Sequence, residues 1–194
     1  METYSQTAQD TIAYKFSTLN SYVEVGAQGP IGRNNTYLLE KNGWTGISFE
    51  IELNHRGVWQ SSDRDMSRIK FMNAYDFDFN SLDSRIGYLS LDIDTETLNF
   101  YKKKIRPSGI KFDVISMEHD AFDDLSKSEI QKKELLSDGY HCYLEDINIT
   151  PNEQRARGPF GPYESIYVSD EIWKKHNLQT LKNLTKEDIL KLWQ

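Results

Sequence analysis

The chain has 194 residues, 23 Lys and Arg against 30 Asp and Glu, one Cys, and a formal net charge of −7. That length suits a single domain, residues 1–194, with a full α/β core. The negative charge works against nucleic acid as a partner, and the lone Cys142 excludes an internal disulfide. No apolar run approaches the ~20 residues needed to span a bilayer. METYSQTAQDTIAY lacks the basic and apolar segments of an export signal, so a cytoplasmic protein without a membrane partner is expected.

Residues 1–19 are polar with scattered Ile12, Tyr14, Phe16 and Leu19, which suggests a short helix or arm on the sheet edge. Tyr22, Val23 and Val25 make a first strand, followed by a turn at Gly26 and Gly29. Asn34 and Asn35 suit the N-terminus of a helix through Leu38 and Leu39, which Gly43 stops. A second strand ends in Glu50, a polar connection spans 53–66, and KFMNA (70–74) is the third strand. IGYLSLDID (86–94) and FDVISME (112–118) are the fourth and fifth strands, joined by a crossover helix over TETLNFYKKK. A helix over 121–137 offers Leu125, Ile130, Leu135 and Leu136 as its buried face. YHCYLE (140–145) and ESIYVS (164–169) are the last strands, flanking a Pro- and Gly-rich loop over 148–163. Two short helices close 170–194, the second capped by Thr185. The pattern predicts an α/β fold: a mostly parallel seven-stranded sheet with a terminal antiparallel hairpin and helices on both faces.

The strand–turn–helix–strand unit over residues 22–52 suits a nucleotide-like cofactor at the carboxyl edge of a parallel sheet. Its glycines, Gly26, Gly29 and Gly32, do not follow the G-x-G-x-x-G spacing of a pyrophosphate turn, which disfavours a nicotinamide oxidoreductase. Glu24 lies inside the apolar strand, and a buried acid is costly unless paired. A cofactor with a positive end, such as the sulfonium and amino group of S-adenosylmethionine, suits such a place. Glu50 stands where a carboxylate can accept both ribose hydroxyls.

EVGAQG (24–29), then GW-x-G-x-x-x-E ending at Glu50, and YLSLDID (88–94) with FDVISMEH (112–119) resemble the class I S-adenosylmethionine-dependent methyltransferases, the FkbM-like branch in particular. The resemblance spans roughly residues 20–170 and implies the Rossmann-like fold of that class. It implies a cofactor site from Glu24, Gly26, Ala27, Gly29, Glu50, Asn73, Ala74 and Asp92. Glu24 and Gly26 would face the methionine end, Glu50 the ribose, and Asn73 with Ala74 the adenine edge. Asp92 would stand by the substrate entrance. Asn73 replaces the Asp of many relatives, and the glycine many of them carry after Asp94 is missing here.

Asp92, Asp94, Glu118 and His119 fall at the ends of neighbouring strands, where open α/β sheets bind ligands. One reading places Mg or Ca on Asp92, Asp94 and Glu118. A second makes His119 or Asp94 a metal-free general base. A third leaves Asp94 as a helix cap, Glu118 paired with a lysine and His119 in solvent. The expected activity is O-methylation of a small molecule, sugar or glycan hydroxyl. The rival is a sensor that binds S-adenosylmethionine or a nucleoside without catalysis. The 148–163 loop, with Arg155 and Arg157, is expected to act as a flap over the acceptor, and a homo-oligomer is left open.

Overall fold

The computed structural model describes residues 2–119, 121, 124–149 and 161–192. IGYLSL and FDVISM become the middle of the sheet, because strands covered on both faces carry continuous apolar runs. The parallel strands are β1 (Ser21–Val25), β2 (Thr45–Glu50), β3 (Ile69–Phe71), β4 (Arg85–Leu91) and β5 (Lys111–Glu118). β6 (Tyr140–Ile149) and β7 (Gly161–Ser169) form the antiparallel hairpin. Among the described residues the sheet has an eighth strand, β8 (Leu181–Lys182), and runs β3-β2-β1-β4-β5-β7-β6-β8. The expected seven strands thus gain a two-residue edge, parallel to β6.

One face is covered by α1 (Gln9–Phe16), α2 (Tyr37–Lys41), α7 (Asp170–Lys175) and α8 (Lys186–Lys191). The other carries α4 (Thr97–Phe100), which passes through a π-helical turn at Tyr101–Ile105 into α5 (Arg106–Ser108), and α6 (Ser126–Ser137). A further short helix, α3 (Arg56–Gln60), lies in the connection after β2. Thr185 closes a capping box with Asp188 at the start of α8, as the sequence suggests. No helix among the described residues is long and apolar enough to cross a membrane.

Two packing expectations are corrected. α1 covers the middle of the sheet and not its edge: Ile12, Ala13 and Phe16 share a core with Tyr22, Tyr88 and Val114 of β1, β4 and β5. α6 buries Ser128, Gln131 and Leu135, while Leu125 and Ile130 are 62% and 52% exposed and Leu136 is exposed as well. Gln131 is inside because both ends of its amide are used: Nε2 donates to the Glu118 carbonyl (2.9 Å), and Oε1 accepts from the Tyr167 hydroxyl (3.1 Å). Two of the basic residues after α4 pair with acids of α6 and its C-terminal end. Lys102 bonds Glu134, and Arg106 bonds Glu134 and Asp138.

Candidate active site

The register sets the site. Val25 stands level with Phe49 of β2 and with Leu91 of β4, so Gly26, Glu50 and Asp92 leave the sheet at one height. Leu91 is level with Met117, which brings Glu118 beside Asp92, and Glu118 is opposite Glu164 of β7. β1 sends its neighbours off in opposite directions, and the crevice above such a switch point is where open α/β sheets take ligands. A cavity of about 570 Å³ opens there. Its wall holds Glu50, Glu52, Asp92, Asp94 and Glu96, and no Lys or Arg among the described residues. The imidazole of His55 is 3.6 Å from Glu52.

The turn after β1 is shaped by its contacts. Gly26 has φ +89°, and a Cβ there would stand 1.8 Å from the Asp92 carbonyl oxygen. Only glycine allows that approach. The N–H groups of Gly26 and Ala27 both donate to the Phe49 carbonyl (3.0 Å), stapling the turn to β2. Glu50 is 5% exposed. Its Oε2 accepts from the Gln28 N–H (2.6 Å) and its Oε1 from the Glu52 N–H (2.7 Å). A carboxylate has about four lone-pair sites, so two remain for hydroxyl donors. At the far end Asn73 and Ala74 line the wall with Met72 and Tyr75. The Asn73 Oδ1 already accepts from the Tyr75 N–H (3.0 Å), and Tyr75 packs edge-on to Phe100.

Glu24, Ala27 and Gly29 lie outside the cavity wall. Glu24 is buried beneath the turn, accepting from the Asn35 N–H (3.1 Å), Thr36 Oγ1 (2.8 Å), Ser48 Oγ (2.7 Å) and Asn34 Nδ2 (3.3 Å). Burial pushes its carboxyl up, while the Arg64 guanidinium and these donors pull it down. Asn34 Oδ1 in turn accepts from the N–H groups of Thr36 and Tyr37, the first donors of α2. The acid in the strand therefore holds the helix entrance and does not face the cavity.

Arg64 is the residue that sequence reasoning misses. Its side chain is 1% exposed and bonds Glu40 (2.9 Å), the Pro30 carbonyl (2.9 Å), Asn34 Oδ1 (2.8 Å) and Thr36 Oγ1 (3.1 Å). Its guanidinium lies 4.7 Å over the Trp59 ring, and Trp59 Nε1 donates to the Gln28 carbonyl (2.8 Å). A Trp in the otherwise polar stretch 53–66 was the available signal that this segment packs inward.

The acidic mouth is knitted by its own bonds. The Tyr163 hydroxyl donates to Asp92 Oδ2 (3.2 Å), and the Asp94 N–H donates to Glu118 Oε2 (2.9 Å). Burial pushes the Asp92 carboxyl up, bonds with Glu118 and Tyr163 pull it back, and the Asp94 charge raises it. Among the described residues no group of three or more His, Cys, Asp and Glu side chains is arranged to hold a metal. The expected Mg or Ca site on Asp92, Asp94 and Glu118 is therefore not formed among the described residues.

The reading that leaves His119 in solvent is corrected. Its side chain is buried; Nδ1 accepts from the Ala121 N–H (3.2 Å), and Nε2 is 3.2 Å from Ser165 Oγ and 3.5 Å from Asp146. Burial lowers its pKa to about 4 against the pull of Asp146. The buried ring also lines a smaller cavity beside Asp94 and Glu118. Cys142 is an inert core thiol, pushed up to about 12 by burial. A second unexpected acid, Glu164, is buried under the N-terminal segment, bonded by Thr7 Oγ1 (2.6 Å) and Gln9 Nε2 (2.5 Å). Of the loop expected as a flap, residues 148–149 and 161–163 belong to β6 and β7. The remainder, with Arg155 and Arg157, lies outside the described residues.

The sheet order and the edge cavity are those of the Rossmann-like fold of S-adenosylmethionine-dependent methyltransferases. Solved structures bear this out. P. horikoshii TYW2 in complex with MeSAdo superposes with a TM-score of 0.56 at 13% identity, covering 87% of this chain. The chain spans 63% of the length of that protein. The O-methyltransferase from Bacillus cereus in complex with SAH gives a TM-score of 0.56 at 12% identity, covering 83% of this chain and 78% of its own. Cofactor-bound Rv0187 from MTB gives 0.55 at 13%, covering 84% and 78%. At these identities the likeness establishes the fold. No family model and no curated protein matches the sequence.

Proposed function

We propose that this chain is an S-adenosylmethionine-dependent methyltransferase acting on a hydroxyl of a small molecule or sugar. The observation that carries the reading is the wall of the edge cavity, with five carboxylates and no Lys or Arg among the described residues. Such a wall repels the diphosphate of a dinucleotide and favours a ligand with a positive end. The volume, about 570 Å³, is within the ~300–1,000 Å³ of cofactor and ligand sites. When bound, the cofactor supplies an electrophilic methyl group on a sulfonium. The residues present fit it: Glu50 has lone pairs left for ribose hydroxyls, Asn73 and Ala74 would hold the adenine, and Gly26 and Asp92 would flank the methionine end.

What remains for the protein is alignment and a place for one proton. The methyl group would pass to the acceptor oxygen, the former carbon–sulfur bonding pair staying on sulfur. The hydroxyl proton would pass to Asp94, which lines the cavity wall. The FkbM-like resemblance of GW-x-G-x-x-x-E and LSLDID supports oxygen as the atom methylated. Calorimetric titration tests the assignment: Glu50→Ala should weaken S-adenosylhomocysteine binding by about 1–3 kcal/mol, the range for charge-assisted hydrogen bonds. Unchanged affinity would remove Glu50 from the ribose role.

A further inference from the structure

A second cavity of about 220 Å³ lies between α4 and α6, separate from the first but sharing Asp94 with it. Leu98 of α4 and Ile130 of α6 form its apolar walls. Ile130 is 52% exposed, an apolar side chain left uncovered beside a hollow. Gln131 fixes one wall by its bonds to the Glu118 carbonyl and to Tyr167. Asn99 adds a polar group, and Lys127 stands in the same lining as Asp94 and Glu118, so charges of both signs meet there.

We propose that this cavity is the acceptor site, and that the acceptor is a small uncharged single-ring compound carrying a hydroxyl. The proposal rests on the methyl-transfer reading. The shared Asp94 gives a hydroxyl in the second cavity a carboxylate that also lines the first. The volume sets the size: a cavity of about 150 Å³ lined by aliphatic side chains holds benzene, so about 220 Å³ holds one ring with a substituent or two. Leu98 and Ile130 give the ring apolar faces to lie between, and Asp94 and Glu118 against Lys127 disfavour an anionic acceptor.

Phenol is the probe. In the full chain with labelled methyl groups, nuclear Overhauser contacts should run from the phenol ring protons to the methyls of both Leu98 and Ile130. Ile130→Trp, at a half-exposed helix position, fills the hollow. It should weaken phenol binding by about tenfold or more while leaving S-adenosylhomocysteine affinity within about twofold. Contacts to other residues, no contacts, or an Ile130→Trp protein that binds phenol as before would each overturn the proposal. The homocysteine titration separates the two ideas. If S-adenosylhomocysteine fails to bind, the methyl-transfer reading falls, while the contacts still decide whether this cavity takes a ring.

Discussion

Replacing Arg64 with Met keeps most of the side-chain volume and removes the guanidinium that bonds Glu40 and whose charge pulls the buried Glu24 carboxyl down. Arg64 holds the Pro30 carbonyl, Asn34 and Thr36, and Asn34 and Thr36 also bond Glu24. Glu40 loses its 2.9 Å bond to Arg64 but keeps Arg68 at 4.0 Å and the Asp65 N–H at 2.9 Å, while Glu24 loses the charge that pulls its carboxyl down. Breaking a buried pair by removing one partner costs about 3–5 kcal/mol, because the other charge stays buried. For a chain of this size that is a fall of about 6–20 °C in melting temperature. The effect should depend on pH. Arg64 pulls the Glu24 carboxyl down against burial, so without it the carboxyl rises further. An acid raised in the folded state is destabilising when ionised, so the deficit should be largest at alkaline pH and shrink as pH falls. Glu24→Gln should recover about 1–3 kcal/mol in the Arg64→Met background. Urea denaturation of the four proteins at two pH values measures all of this. A loss below about 1 kcal/mol, equal at both pH values and untouched by Glu24→Gln, would refute the role of Arg64 as partner to Glu24.

Three further outcomes are expected. Gly26→Ala should cost more than about 2 kcal/mol, from positive φ and the collision with the Asp92 carbonyl. Gly29→Ala, whose Cβ would meet only the Gly32 carbonyl at 3.9 Å, should stay within about 0.5 kcal/mol in the same thermal melts. Burial lifts the Glu164 carboxyl from 4.5 to about 8. Its folded value is above its unfolded one, so its contribution is full below about 4.5 and lost as pH rises through about 8. Wild type should therefore lose stability against Glu164→Gln across that window, and a constant difference in urea titrations would contradict the assignment. His119 is displaced the other way, to about 4 from 6.5, so its contribution is present above 6.5 and lost as pH falls through about 4. His119→Gln should flatten that acid limb without altering the pH dependence of any methyl transfer near neutrality.

The parts of this molecule that were legible in its sequence are those where one physical requirement dominates. Parallel strands covered on both faces must be continuous apolar runs, which made β4 and β5 plain. A turn that leaves a strand next to a neighbouring carbonyl must have glycine at Gly26, and the strand register then carries Glu50 and Asp92 to the same edge. Gly29 looked equivalent in sequence and is not, since spacing says nothing about what a Cβ would meet. Arg64 was hidden because an arginine in a polar stretch reads as solvated, and its burial depends on Asn34 and Glu40 from the segment after β1 meeting it beside its own neighbour Trp59. The inward face of α6 was misjudged for a related reason. Gln131 is buried by a carbonyl and a tyrosine hydroxyl that the helix pattern cannot show, while Ile130 turns to the second cavity. His119 and Glu118 were correctly placed at the strand end, but the partners that occupy them come from the turn after β4, from β7 and from the segment after β5.

The acid-lined cavity above β1 and β4 is the central claim, and ligand choice tests it most directly. Titrated separately into the full chain at neutral pH, S-adenosylmethionine and S-adenosylhomocysteine should both bind with Kd of about 1–100 µM, or about −8 to −5.5 kcal/mol, and NAD should give no signal. NAD binding in that range with no signal from either adenosyl compound would contradict it.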